Sequence, residues 1–157
     1  MTGGGRGEYA GPAMTKDEMI KQLNEDISDE FASTIQYVHH ASMITGARFV
    51  AIQKELLLHS QEELQHATTL ADQVAFLGGK PTTKIAAVHV SDDPEEMLRI
   101  DLKGEKEAVE RYKHRIRAAM DMGEYGLARV LQDILVMEEE HVKDMEIALG
   151  IEPGHSK

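Results

Sequence analysis

Cysteine and tryptophan are absent from this chain of 157 residues, and aromatic residues make up only 4% of it. Without cysteine there is no disulfide framework, no thiolate metal ligand and no cysteine nucleophile, which fits a reducing compartment. The scarcity of aromatics beside plentiful Ala, Leu, Glu, Ile and Met favours helices over sheets. Basic residues are outnumbered, 17 against 28 acidic ones, for a formal net charge of −11. That balance opposes a general affinity for nucleic acid or for an anionic membrane. Bound metal would neutralise part of it. No apolar run approaches the length of a membrane span. The N-terminal Met1-Thr-Gly-Gly-Gly-Arg-Gly7 lacks the apolar core of a signal peptide. These absences predict a cytoplasmic protein with neither a membrane nor a nucleic-acid partner.

What is present reads as one all-α domain. Residues 1–14 hold five of the thirteen glycines and Pro12, the composition of a flexible N-terminal arm. Thr15-Lys-Asp-Glu18 is a capping box. It opens a helix whose seam runs Ile20, Leu23, Ile27, Glu30, Thr34, Tyr37, Ala41 and Ile44 at unbroken 3-4 spacing, up to Gly46. A second seam carries Ile52, Leu56, His59, Glu63, His66, Leu70 and Leu77, and stops at Gly78-Gly79 with Pro81 beyond. Residues 78–93 form a long link, within which Lys84-Ile-Ala-Ala-Val-His-Val90 is expected to be briefly extended. Ser91-Asp-Asp-Pro94-Glu-Glu96 has the acidic N-cap and first-turn proline of a helix start. The third seam is Leu98, Leu102, Glu105, Val109, Tyr112, Ile116 and Ala119, broken at Asp121-Met-Gly123. The fourth is Leu127, Leu131, Ile134, Glu138, His141, Met145 and Ala148, stopped by Gly150 and Pro153, with residues 150–157 a short tail. Two antiparallel hairpins joined by one long crossover, a four-helix bundle over 15–149, is the expected architecture.

Two separations are equal. Glu30 lies 33 residues before Glu63 of Glu63-x-x-His66, and Glu105 lies 33 residues before Glu138 of Glu138-x-x-His141. In an antiparallel pair, residues equidistant from the turn share a height. The midpoints fall at Gly46-Ala47 and Asp121-Met122, the breaks already located from glycine placement. Each acidic pair therefore faces across its hairpin, roughly 25 Å from the turn at about 1.5 Å per residue. All six residues occupy seam positions. Four unpaired carboxylates in an apolar interior would be driven towards protonation, so a metal-free site should be protonated or loose. Two divalent cations, four carboxylates and two neutral imidazoles sum to zero charge. Glu30, Glu63, His66, Glu105, Glu138 and His141 are thus the candidate ligands of a carboxylate-bridged di-metal centre. Glu-x-x-His alone is a weak signal. A third copy, Glu152-Pro-Gly-His155, fails the test because it sits in a Pro/Gly tail and its upstream partner position is Ala119.

With these residues in place, the chain resembles the bacterioferritin branch of the ferritin-like di-iron superfamily. Ile35-Gln-Tyr-Val-His-His-Ala41 and Glu95-Glu-Met-Leu-Arg-Ile-Asp-Leu102 are similar to that family's local sequences. The resemblance implies that Glu30 and Glu105 are terminal ligands, that Glu63 and Glu138 bridge two metals, and that His66 and His141 complete one metal each. It implies a ferroxidase that oxidises Fe(II) with O₂ or H₂O₂ and stores the ferric product in a hollow homo-oligomeric shell. The chain also departs from that pattern. Leu64 stands where the family's haem-ligating Met would follow the bridging Glu, so haem is not expected. Too few residues follow Gly150 for a fifth helix, which leaves a Dps-like 12-mer or a 24-mer lacking that helix. Leu70 and Asp144 replace family aromatics near the site.

Carboxylate oxygens stabilise Fe(III) while imidazoles retain Fe(II), so Fe is the expected metal, with Mn or Zn as substitutes. The alternative is a di-iron or di-manganese peroxidase- or catalase-type redox enzyme without mineral storage. The rubrerythrin form of it lacks support, since Ala108 stands where a further carboxylate would follow the third helix's Glu. A Dps-like DNA-coating role is opposed by the acidic charge and by an arm bearing little more than Arg6, Lys16 and Glu8. Tyr37 and Tyr112 each follow a terminal Glu by seven residues, a placement suited to hydrogen bonding a ligand, to donating an electron or to packing in the core. His59 reads as an ordinary partly buried histidine, with an inner-surface iron ligand or part of an entry path as the sharper options. His39 and His40 are expected in solvated or interface positions, and Glu62, Glu139 and Glu140 along a surface.

Overall fold

The computed structural model describes residues 14–152, and these form a four-helix bundle with no strand among them. The helices are α1 (Lys16–Met43), α2 (Val50–Phe76), α3 (Pro94–Asp121) and α4 (Tyr125–Ala148), with a 3₁₀ turn at Ala47–Phe49 inside the first hairpin. No described helix is long and apolar enough to cross a membrane. The arm expected over 1–14 lies outside the described residues except Met14, which packs against the core. The tail from Pro153, with His155, also lies outside them.

The caps act where the sequence placed them. Thr15 accepts from the Glu18 amide at 3.2 Å, and the Glu18 carboxylate accepts from the Thr15 amide at 2.8 Å. Asp93 accepts from the Glu96 amide at 2.8 Å, with Pro94 at the first helical position. Four orphan amides at each helix start need such partners, and each cap contributes about 1 kcal/mol. Gly46 turns the chain between α1 and α2 at φ +114°, a conformation that side chains disfavour.

α1 pairs with α2 and α3 with α4, and the hairpins meet through α1–α3 and α2–α4 contacts. The link over 78–93, including residues 84–90, forms no strand. It runs beside α1, which satisfies its backbone groups singly. The Thr82 amide donates to Asn24 Oδ1 at 2.7 Å, Ala86 to the Ser28 carbonyl at 3.0 Å and His89 to Gln36 Oε1 at 2.9 Å. With no parallel neighbour there is no ladder to join, so two side chains and one main-chain carbonyl of α1 substitute for one.

Buried apolar residues fall into two clusters. One contains Leu23, Ile27, Leu70, Val74, Tyr112, Ile116, Leu131 and Ile134. The other contains Tyr37, Ala41, Ile52, Leu56, Leu98, Leu102 and Met145. Along every helix the six candidate ligands fall between them: Glu30 between Ile27 and Tyr37, Glu63 and His66 between Leu56 and Leu70, Glu105 between Leu102 and Tyr112, Glu138 and His141 between Ile134 and Met145. The bundle is therefore two oily plugs closing on one polar layer.

Candidate metal centre

The four helices bring all six predicted residues into that layer, each at most 3% exposed. His66 Nδ1 lies 3.3 Å from Glu138 Oε1, 3.6 Å from Glu63 Oε2 and 3.7 Å from Glu30 Oε2. His141 Nδ1 lies 2.9 Å from Glu63 Oε1, 3.4 Å from Glu105 Oε1 and 3.5 Å from Glu138 Oε2. Glu63 and Glu138 thus each turn one oxygen towards one histidine and the second oxygen towards the other. Two four-residue groups result, Glu30/Glu63/His66/Glu138 and Glu63/Glu105/Glu138/His141, each with donor atoms within 4.8 Å of one another. They share Glu63 and Glu138.

These donors fit a pair of divalent cations better than they fit each other. His66 Nδ1, His141 Nδ1, Glu63 Oε1 and both oxygens of Glu138 are buried without a hydrogen-bond partner, despite the short separations. Buried polar atoms are nearly always paired, so five orphans in one layer need something placed among them. Oxygen and imidazole donors without thiolate suit Fe, Mn or Zn.

The protons of the metal-free layer follow from its electrostatics. Burial, reinforced by the charges of Glu63 and Glu138, pushes Glu30 well above the carboxylate range. Burial and Glu138 do the same to Glu105. Burial would also raise Glu63 and Glu138, but the protonated acids and the two rings beside them hold both below the usual range. Burial opposes charging of His66, yet Glu138, Glu30 and Glu63 push it up to about 12. His141 is raised likewise by Glu105, Glu138 and Glu63. Two neutral acids, two carboxylates and two imidazoliums again sum to zero. The metal-free layer, expected to be protonated or loose, thus carries its protons on Glu30, Glu105 and the two histidines.

Tyr37 donates its hydroxyl to Glu105, and Tyr112 donates to Glu30. Each tyrosine thus holds a glutamate of the opposite hairpin, not the one seven residues before it on its own helix. The outer ring nitrogens differ between the halves. His141 Nε2 meets Glu62 Oε2 at 2.9 Å, whereas His66 Nε2 meets the Met137 thioether at 3.4 Å. Glu62 therefore does not merely line a surface, as expected from sequence. His40 also differs from expectation: it is fully buried, with Nδ1 2.9 Å from Asp101 Oδ2, and Gln36 donates to the same carboxylate at 2.8 Å. His39, Glu139 and Glu140 are exposed as anticipated. His59 is 2% exposed, stacked on His141 at 4.0 Å and 3.2 Å from Asp144. Burial and His141 hold its imidazole below the usual range.

A profile of the ferritin-like domain matches residues 20–151. The chain belongs to the ferritin-like family. Among curated relatives, a bacterioferritin of Mycobacterium leprae is 27% identical over 135 residues, covering 85% of each chain. A bacterioferritin of Brucella melitensis is 26% identical over 135 residues, covering 85% of this chain and 84% of its own. Among solved structures, a ferritin-like di-iron-carboxylate protein of Bacillus anthracis superposes with a TM-score of 0.82 at 30% identity, covering 87% of this chain and 99% of that one. A dodecameric thioferritin of Bacteroides fragilis, described as bacterioferritin-related, gives 0.81 at 26% identity and covers 88% of each. The ferritin-like chain thus has bacterioferritin relatives across most of its length, and the resemblance drawn from its motifs holds.

Proposed function

We propose that this protein is a ferroxidase that oxidises Fe(II) and retains the ferric product, with the intrasubunit layer of six donors as its catalytic centre. The observation that carries this reading is the pair of four-residue groups sharing Glu63 and Glu138. Glu30 and His66 would complete one metal position, Glu105 and His141 the other, with Glu63 and Glu138 spanning both. When bound there, two ferrous ions supply two electrons side by side to O₂ or H₂O₂.

The chain's own part in that chemistry is positional and protonic. Hard carboxylate oxygens favour the ferric state, and the two imidazoles retain ferrous affinity. Tyr37 and Tyr112 fix the rotamers of Glu105 and Glu30, so the terminal carboxylates stay aimed inwards. Glu62 holds the outer nitrogen of His141, orienting the ring as a carboxylate beside a ligating histidine does. The apolar clusters on either side exclude bulk water and strengthen every charge interaction between them. Glu30, Glu105, His66 and His141 hold the protons that metal would displace.

The active unit is the bundle of residues 15–149, haem-free because Leu64 cannot replace a thioether ligand, and cytoplasmic. The dodecameric assembly of the Bacteroides fragilis protein supports a 12-mer in preference to a 24-mer here. The test is Fe(II) oxidation followed spectrophotometrically, with native mass and iron content of the product. Wild type should oxidise Fe(II) at least ten-fold faster than buffer and remain a soluble, iron-loaded shell, and Glu63→Ala should fall to the buffer rate. Equal rates for wild type, variant and buffer would falsify the reading.

A further inference from the structure

The two hairpins repeat with an offset of 75 residues, which carries Glu30, Glu63 and His66 onto Glu105, Glu138 and His141. Tyr37 and Tyr112 obey the same offset, and each donates to a glutamate of the other hairpin. The repeat fails at the residue before each shared glutamate. Under the offset, Glu62 becomes Met137.

That position has one geometric role in both halves. It reaches across to the other hairpin's histidine and meets the ring nitrogen that faces away from the layer. Glu62 Oε2 stands 2.9 Å from His141 Nε2, and Met137 Sδ stands 3.4 Å from His66 Nε2. Both rings turn Nδ1 towards the glutamates, His66 at 3.3 Å from Glu138 and His141 at 2.9 Å from Glu63. A metal taken at Nδ1 leaves the proton on Nε2, so each ring must donate outward. One ring then donates to a carboxylate, the other to a thioether.

The acceptor acts on the metal through the ring. A carboxylate draws the Nε2 proton towards itself, which leaves Nδ1 a stronger donor and holds the ring plane in place. A thioether is a weak, neutral acceptor and does little of either. Removing such a partner from a metal-bound histidine lowers affinity by about 10- to 100-fold. The inward surroundings do not offset the difference, because each histidine is 2% exposed and faces three glutamates. Packing adds to it. His141 is stacked on His59 at 4.0 Å, and the residue that corresponds to His59 in the other half is Ile134.

We propose that Glu62 and Met137 make the two metal positions unequal: the Glu105/His141 position fills first and retains its ion, while the Glu30/His66 position binds about 10- to 100-fold more weakly and is the one that exchanges. Both are positioning residues, acting on the metal only through a histidine. The inference rests on the ferroxidase reading in taking the six donors as a two-metal layer. It gives that layer an order of filling, with iron leaving for storage from the Glu30/His66 side.

The experiment loads the metal-free full-length protein anaerobically with one Co(II) per chain and compares the two anomalous peaks in its crystals. Stepwise affinities come from Co(II) titration followed by visible absorption. In wild type the Glu105/His141 peak should be at least about three-fold the stronger, the ratio that a ten-fold affinity difference gives with half the positions filled. Met137→Glu should bring the peaks to parity by tightening the weaker step at least about five-fold. Met137→Leu, which offers the ring no acceptor, should leave the wild-type order. Exchanging the pair, as Glu62→Met/Met137→Glu, should invert the ratio, which altered packing alone would not do. If the exchanged protein does not fold, Met137→Glu against Met137→Leu decides. Equal peaks in wild type, equal effects of Met137→Glu and Met137→Leu, or a folded exchange protein with the wild-type order each overturn the proposal. Failure of the ferroxidase reading shows differently, as no Co(II) in either position at saturating metal, and takes this inference with it.

Discussion

Loading the six-residue layer with two divalent cations should expel about four protons per chain, two for each metal. The number follows from the buried electrostatics. Glu30 and Glu105 are neutral acids because burial and neighbouring carboxylates raise them, and His66 and His141 are imidazoliums because three carboxylates surround each ring. All four must give up a proton to present a lone pair to metal, whereas Glu63 and Glu138 are already ionised. Each displaced proton changes the binding free energy by about 1.4 kcal/mol per pH unit, so two-metal loading should tighten by roughly 5 kcal/mol per unit of rising pH. His66 stays charged up to about 12, so its contribution persists across the neutral range. The assay is anaerobic titration of metal-free protein with Zn(II) in two buffers of different ionisation enthalpy, at pH 6.5 and 7.5. Release of one proton or none per two ions, with no pH dependence, would refute the charge pattern drawn for the layer.

Stability should carry the opposite sign. Groups whose folded pKa is raised, as at Glu30, Glu105 and His66, contribute fully below their unfolded values and lose that contribution as pH rises towards the folded ones. The metal-free protein should therefore melt at progressively lower temperature from pH 6 to pH 9, and added Zn(II) should reverse the slope in a thermal scan. Gly79→Ala should destabilise by about 1–3 kcal/mol in urea titration, because a Cβ there would sit 2.6 Å from Ile20 Cγ2 and 3.1 Å from Val74 Cγ1, within a packed helix end. Asp101→Ala should cost about 3 kcal/mol or more by the same assay, since it leaves the buried His40 and Gln36 without their common acceptor.

Which of these features could be read before the fold was known depends on how far each reaches across the bundle. Helix ends were legible because caps and glycines act within four residues, as at Thr15 and Gly46. The meeting of Glu30 with Glu63, and of Glu105 with Glu138, was legible because an antiparallel hairpin fixes height by counting from its turn. Pairs between the hairpins were not. His40 with Asp101, Tyr37 with Glu105 and Tyr112 with Glu30 depend on how α1 and α3 are rotated and offset, which no spacing within one hairpin encodes. His40 looked like a surface residue because it adjoins His39, although adjacent helical residues point about 100° apart and only one of them has to face outward. Glu62 was read as surface for a similar reason: it is partly exposed, yet its carboxylate turns inward to His141. The signal that could have found it is its position directly before Glu63, facing a helix whose histidine needs a partner for its outer nitrogen. Residues 84–90 form no strand, since a strand needs a partner strand and the bundle offers none.

The most direct test of the central claim is anomalous diffraction from crystals of the protein grown metal-free and soaked with Fe(II) under anaerobic conditions. Two strong peaks roughly 3.5–4 Å apart are predicted, with Glu63 and Glu138 between them, Glu30 and His66 on one and Glu105 and His141 on the other. No peak within that layer at saturating metal, or peaks only at exposed carboxylates, would contradict it.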